Sequence, residues 1–260
     1  MLPTALTIAG SDPSGGAGLQ ADLKTFHQHG VYGMSVVTLV TAQNTRGVTA
    51  IDFLSADLVR AQLDAVLSDI PPKAAKTGAI GRADLIEAVA ERLRAKEFPL
   101  VVDPVMISKH GHPLLEGDAV RAVVERLLPL AEVVTPNLHE AARMTGGRVD
   151  RADDMEPAAR RIASMGPRHV LVKGGHLADG AMDLLFSDGI VRTFPSERLV
   201  STSTHGTGCT LAAAITARLA RGDDVVTAVD GARSYVREAI ARAPGLGRGS
   251  GPVDHFARVP

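Results

Sequence analysis

The sequence predicts an α/β protein of three layers, αβα, around a mostly parallel central sheet. Three observations predict it. Short apolar, β-branched runs alternate with longer segments whose apolar residues recur every three to four positions, the pattern that builds parallel strands linked by helices. Polar residues follow several of the predicted strands, where such sheets bind ligands: Gln43, Asp103, Asn137 and Lys173. Glycine-rich turns precede two of the helical segments, at 10–18 and 206–208. A chain of 260 residues, 45% of them hydrophobic, can bury a sizeable core. No solenoid period, low-complexity stretch or linker divides it, so residues 1–260 are expected to form one domain.

Each element has a local reason. Residues 5–9 are a short apolar run ended by the 10–18 glycine loop, hence a first strand; 19–29 follow with helical spacing. Residues 34–41 are β-branched and apolar, and 48–53 resemble them, so both are strands. The apolar positions of 58–67 keep one helical face, 73–79 form a strand, and 85–93 return to a spacing near 3.6. Then the alternation becomes regular: strand 100–103, helix 119–128, strand 132–135 and helix 137–144. A helix at 157–165, opened by Pro157, precedes strand 169–173. Residues 181–186 and 190–194 flank Ser187-Asp188-Gly189, whose Asp-Gly pair signals a hairpin. Two helices, 210–221 and 225–242, complete the pattern.

Bulk properties exclude several classes. Lys and Arg number 28 against 29 Asp and Glu, a net charge of −1, so no excess charge points to nucleic acid or an anionic membrane. With no Trp, two Tyr and six Phe, base-stacking platforms are not expected. The longest apolar run, near residues 34–42, is too short to span a bilayer, and the first residues lack the features of a signal peptide. A single cysteine fits a reducing compartment, and a cytoplasmic location is expected.

That cysteine, Cys209, lies in Ser203-Thr-His-Gly-Thr-Gly-Cys-Thr-Leu211, at the start of a helical segment. The first amides of a helix lack partners and carry partial positive charge, so Gly206, Thr207 and Gly208 can form an anion hole. The same field would lower the pKa of the Cys209 thiol. Core packing is the competing reading. Residues 16–21 mimic a dinucleotide fingerprint, but the next strand ends Thr41-Ala-Gln-Asn44 without the acid that ribose needs. Residues 18–25 approach a P-loop, with Leu23 where glycine is required. The 10–18 loop is a ligand-facing turn or a connection capped by Asp12 or Ser14. Asn137 and Glu140 share a helical face, as a capping box or as a magnesium site reached through water. Lys173, before Gly174-Gly175-His176, is a phosphate-neutralising cation or a surface lysine. His110 and His112 lack a third metal ligand.

In this order the motifs resemble the ribokinase-like superfamily, and within it the hydroxymethylpyrimidine/phosphomethylpyrimidine kinases of thiamine biosynthesis. The resemblance runs from residues 5–26 and Thr41-Ala-Gln-Asn-Thr45 through Asp103-Pro-Val-Met106, Thr135-Pro-Asn137, Lys173-Gly-Gly-His176 and His205-Gly-Thr-Gly-Cys-Thr210 to Gly251-Pro-Val-Asp-His-Phe256. It implies two successive phosphorylations of 4-amino-5-hydroxymethyl-2-methylpyrimidine by ATP and Mg²⁺, in a homodimer. It implies Cys209 as the residue activating or orienting the alcohol, beside Gly206, Thr207, Gly208 and Lys173. Gln43, Gly10, Gly18 and Asp22 would line the pyrimidine pocket. Asp103, Asn137, Lys173, Gly175 and Thr207 would serve ATP and its phosphates, with Asn137 and Glu140 holding Mg²⁺ through water. Ala79 stands where relatives often have methionine, and Ser203 replaces a common Asn. A pyridoxal kinase of the same superfamily, or a catalytically silent binding domain, are the alternatives.

Overall fold

The computed structural model describes residues 2–107, 115, 118–175, 177, 181–197, 199 and 201–260. The His110 and His112 pair and His176 lie outside the described residues. Nine strands form one sheet: β1 (Thr4–Ser11), β2 (Tyr32–Asn44), β3 (Gly47–Phe53), β4 (Ala74–Thr77), β5 (Leu100–Val102), β6 (Val133–Val134), β7 (His169–Val172), β8 (Ala181–Ser187) and β9 (Ile190–Ser196). Their order is β3-β2-β1-β4-β5-β6-β7-β8-β9. The six strands from β2 to β7 run parallel, and β3, β8 and β9 add antiparallel edges. The expected mostly parallel sheet is therefore present, and so are the layers on both of its sides.

Helices α1 (Gly18–Gln28), α7 (Thr207–Ala220) and α8 (Val225–Ala241) cover one face. Helices α2 (Ala56–Asp69), α3 (Ala83–Leu93), α4 (Ala119–Ala122), α5 (Leu138–Thr145) and α6 (Ala152–Ala163) cover the other. Alternate side chains of the central strands feed the two cores, as strand geometry requires. Val101, Val133 and Leu171 join the core under α7 and α8, while Leu100, Val102, Val134, Val170 and Val172 join the opposite one. Each buried Val, Leu or Ile contributes about 1.5–3 kcal/mol of transfer free energy, so neither face is dispensable.

Helix α7 is apolar nearly all round, from Leu211 through Ala217, and packs between α1, α8 and the sheet. Its alanines let neighbouring backbones approach closely. A helix buried on every side is a rigid mount for whatever its first turn carries.

Three of the boundaries that differ from the sequence reading have a local cause. Helix α6 begins at Ala152, not at Pro157, because the Asp154 carboxylate accepts the backbone N–H groups of Asp150 and Arg151; Pro157 lies inside the helix. Helix α4 passes at Val123 into a π turn (Val123–Leu127) and then a 3-10 turn (Leu128–Leu130), where Pro129 can donate no further helical bond. Helix α7 starts at Thr207, three residues before expectation, since Gly206 takes the left-handed φ of 77° at its N-cap. The Asp188-Gly189 turn has φ of 51° and 82°, the signature of the tight hairpin its sequence predicted.

Candidate active site

The carboxyl ends of β1, β4, β5, β6 and β7 meet the first turn of α7 along one side of the sheet. Gly206 packs so closely on the 10–18 loop that a Cβ there would collide with the Gly16 carbonyl, and a Cβ on Gly18, at φ 57°, would collide with the Gly10 carbonyl. These glycines are demanded by backbone against backbone. Gly10 itself abuts the Leu39 side chain within the sheet. Gly208 is different: a Cβ there would look into the cleft, 3.4 Å from Lys173 Nζ and 3.9 Å from Asp103 Oδ2. The first turn of α7 thus faces Lys173 and Asp103 at Gly208, while the Thr207 amide donates to Thr204 O at 3.4 Å.

Lys173 follows β7, where its backbone bridges Asn137 in parallel register. Its ammonium donates to Asp103 Oδ1 at 3.1 Å, and Thr135 Oγ1 donates to the same oxygen at 3.1 Å. Burial pulls the lysine down, but Asp103 and Glu140 together hold it above its ordinary range, so it stays charged. Asn137 and Glu140 realise the capping box: Glu140 N donates to Asn137 Oδ1 at 2.9 Å and Asn137 N to Glu140 Oε2 at 2.8 Å. Burial raises the Glu140 carboxyl to about 7, with Lys173 pulling it down and Asp103 pushing it up. Gly175 sits at the exposed turn beyond Lys173. Thr207 turns its hydroxyl back to donate to Thr204 O at 2.7 Å.

Cys209, third residue of α7, is partly exposed, and the Gly18 amide points at its sulfur. The helix terminus does not make it a thiolate. Burial, the largest influence, raises the thiol to about 12; Lys76 lowers it, and Asp22 and Asp103 raise it further. The expected depression of its pKa is therefore corrected in direction. Local sequence displays the helix field, whereas the opposing carboxylates come from other strands and helices.

Asp22 lies beneath the cleft instead of on its wall. It is fully buried, where Lys76 Nζ donates to Asp22 Oδ2 at 2.8 Å and Thr7 Oγ1 donates to the same oxygen at 2.6 Å. Burial raises Asp22, and the partners of Lys76 hold that ammonium above its ordinary value against burial. The short contacts converging on one oxygen favour the ionic form. Lys76 was missed as a functional residue. Its signal was present, since it ends an apolar run just as Lys173 does.

Gln43 reaches the site from the outer part of β2. The β2–β3 pairing shifts register between Ala42 and Gln43, and such an irregularity re-aims a side chain. The Gln43 amide lies 3.3 Å from His205 Nε2, which is 2.7 Å from Asp12 Oδ2. Glycine loop, hairpin and α7 turn are thereby tied together. A cleft of about 660 Å³ lies at the opposite end of the sheet, lined by Lys96, Glu132, Arg168 and His169 among others. It lies away from the carboxyl ends of the parallel strands, where sheets of this kind bind ligands. Among the described residues no group of three or more His, Cys, Asp or Glu could cage a metal, and no helix is long and apolar enough to cross a membrane.

Known proteins resemble this chain over nearly its whole length. The family profile for phosphomethylpyrimidine kinase matches residues 12–254. The chain is 52% identical, over 99% of its length and 98% of the relative's, to the hydroxymethylpyrimidine/phosphomethylpyrimidine kinase of Rhizobium meliloti (strain 1021). The crystal structure of phosphomethylpyrimidine kinase from Clostridium difficile 630 is similar at 45% identity and a TM-score of 0.83, covering 92% of this chain and 99% of that one. An ADP complex of Bacillus subtilis pyridoxal kinase superposes at a TM-score of 0.92 and 38% identity, covering 99% and 98%.

Proposed function

The chain belongs to the phosphomethylpyrimidine kinase family, and from that premise we propose that it phosphorylates 4-amino-5-hydroxymethyl-2-methylpyrimidine with ATP, first to the monophosphate and then to the diphosphate. The observation that carries the chemistry is the convergence of the α7 anion hole with Lys173 beside Gly208. Phosphoryl transfer asks for positioning and charge stabilisation more than covalent chemistry. The amides of Gly208 and Cys209 and the Lys173 ammonium surround the place where a transferred phosphoryl group gathers negative charge. Asp103 holds Lys173 in place. Gln43, with the glycine loop around Gly10 and Gly18, faces the heteroaromatic ring, and Gly175 and Thr207 border the nucleotide phosphates.

Cys209 acts as an orienter. A thiol held near 12 takes no proton at neutral pH, and a loose transition state needs little removal of the alcohol proton before the phosphorus–oxygen bond breaks. Mg²⁺ supplies charge neutralisation on the ATP phosphates when bound. Asn137 and Glu140 already cap one another, so they fit that ion through water and phosphate oxygens and not as a direct cage. The homodimer implied by the resemblance belongs to the same reading and is checked by sedimentation.

Mass analysis after incubation with ATP, Mg²⁺ and the pyrimidine is expected to give mono- and then diphosphate. Consumption of pyridoxal in its place would transfer the assignment to the other vitamin. For Cys209→Ala, kcat is expected to fall about 10–100-fold, with no kinetic pKa near 8.5 in either enzyme. A loss above about 10³-fold together with such a limb would restore the thiolate base.

A further inference from the structure

The contacts joining Asp12, His205 and Gln43 can be counted proton by proton. Asp12 and His205 are only 3% exposed at their side chains. Asp12 Oδ1 accepts from Ser14 N at 2.9 Å and Ser14 Oγ at 2.7 Å; Asp12 Oδ2 accepts from Ala17 N at 2.8 Å. Burial raises this carboxyl, but His205 and the Ser14 donors outweigh it, and the group lies below its ordinary value. An ionised carboxylate only accepts, so His205 Nε2, 2.7 Å from Asp12 Oδ2, carries the proton. An amide nitrogen of Gln43 at 3.3 Å from that Nε2 would set donor against donor. The other end of the amide repeats the problem. Thr41 Oγ1 spends its one proton on the Ser11 carbonyl at 2.9 Å, so the Gln43 atom 3.3 Å from it must donate. Both ends require the same half-turn of the amide.

We infer that Asp12 and His205 are positioning residues that fix which way the Gln43 amide faces, oxygen toward His205 and nitrogen toward Thr41, and so set the hydrogen-bonding sense of the alcohol-binding pocket. The proposal rests on the reading that Gln43 faces the substrate. The fixed amide keeps one N–H and one oxygen lone pair in a set order. The substrate's ring nitrogen beside its 4-amino group is an acceptor next to a donor, and it pairs with an amide held in that sense. The 4-oxo analogue presents a donor next to an acceptor, the reverse order, and a locked amide rejects it. The ring seat is tight as well: a Cβ at Gly16 would stand 2.5 Å from His205 Cδ2. Gly206 follows His205 directly, so one residue sets both the ring-binding sense and the entry to the anion hole.

Nitrogen NMR of the ¹⁵N-labelled whole protein without substrate tests the proton count independently of activity. A protonated His205 Nε2, with Gln43 amide protons close to Thr41 and not to His205, is expected. An unprotonated Nε2, or Gln43 amide protons against the His205 ring, would overturn the proposal. The functional arm compares the aminopyrimidine alcohol with its 4-oxo analogue by kcat/KM. Asp12→Asn and His205→Phe are each expected to narrow the wild-type preference by about 10-fold or more, raising KM for the aminopyrimidine while KM for ATP holds. An unchanged preference in folded variants counts against the proposal. A protein with the expected proton positions that phosphorylates neither pyrimidine would defeat the assigned activity instead.

Discussion

Buried charge governs this site residue by residue. Lys76 and Asp22 pair at 2.8 Å with no exposure, directly below the cysteine. Removing one member of such a pair strands the other, so Lys76→Met is expected to destabilise the fold by about 3–5 kcal/mol in urea titration. Lys76→Met with Asp22→Leu should recover most of that loss; a single variant within about 1 kcal/mol of wild type would show the pair to be neutral. Glu140 makes a pH prediction. Its carboxyl sits at about 7 in the fold against 4.5 as the ordinary value. Between those values the unfolded chain releases the proton while the folded chain keeps it. The resulting stability is fully present below 4.5 and lost as pH rises through about 7, on the order of 3 kcal/mol in all. Thermal melts from pH 4 to 8 should show that fall, and Glu140→Gln, which still accepts the Asn137 amide, should flatten it. The cysteine's position was legible from sequence because its glycines and helix start are local. Its protonation was not, because Lys76, Asp22 and Asp103 arrive from distant strands and helices.

At the scale of elements, one helix terminus separates stability from chemistry. Gly206 has a left-handed φ and touches the Gly16 carbonyl, so Gly206→Ala costs about 1–2 kcal/mol in backbone strain alone and dislodges the loop. Gly208 has neither constraint, and alanine there only enters the space beside Lys173. Gly208→Ala should hold its melting temperature within a few degrees while kcat falls about 100-fold, whereas Gly206→Ala should lose both. Equal losses in the two would reject the division. Alternation of strand and helix was readable from apolar spacing throughout. Boundaries failed where a side chain outside the periodic pattern decided them: Asp154 moved the start of α6 five residues ahead of Pro157. The capping and metal readings of Asn137 could not be separated from sequence. The cap is formed in the structure.

For the whole molecule, the packing of both faces explains why α7 is the inner helix. Helix α7 packs on α1, α8 and three strands at once, so its first turn is fixed against both ends of the chain. Sequence reading reached the parallel sheet and named most of the residues along its carboxyl edge. It did not reach the Asp12–His205 pair, whose partners are 193 positions apart and share no periodic pattern. The same feature has a consequence in time. His205 is held on one side by Asp12 and on the other by the backbone at Gly251 and Pro252. A ribosome adding about 5–20 residues per second makes Pro252 roughly 12–50 s after Asp12. Through that interval the nascent chain can stack strands and helices, but the backbone that seats His205 from its far side has yet to be made.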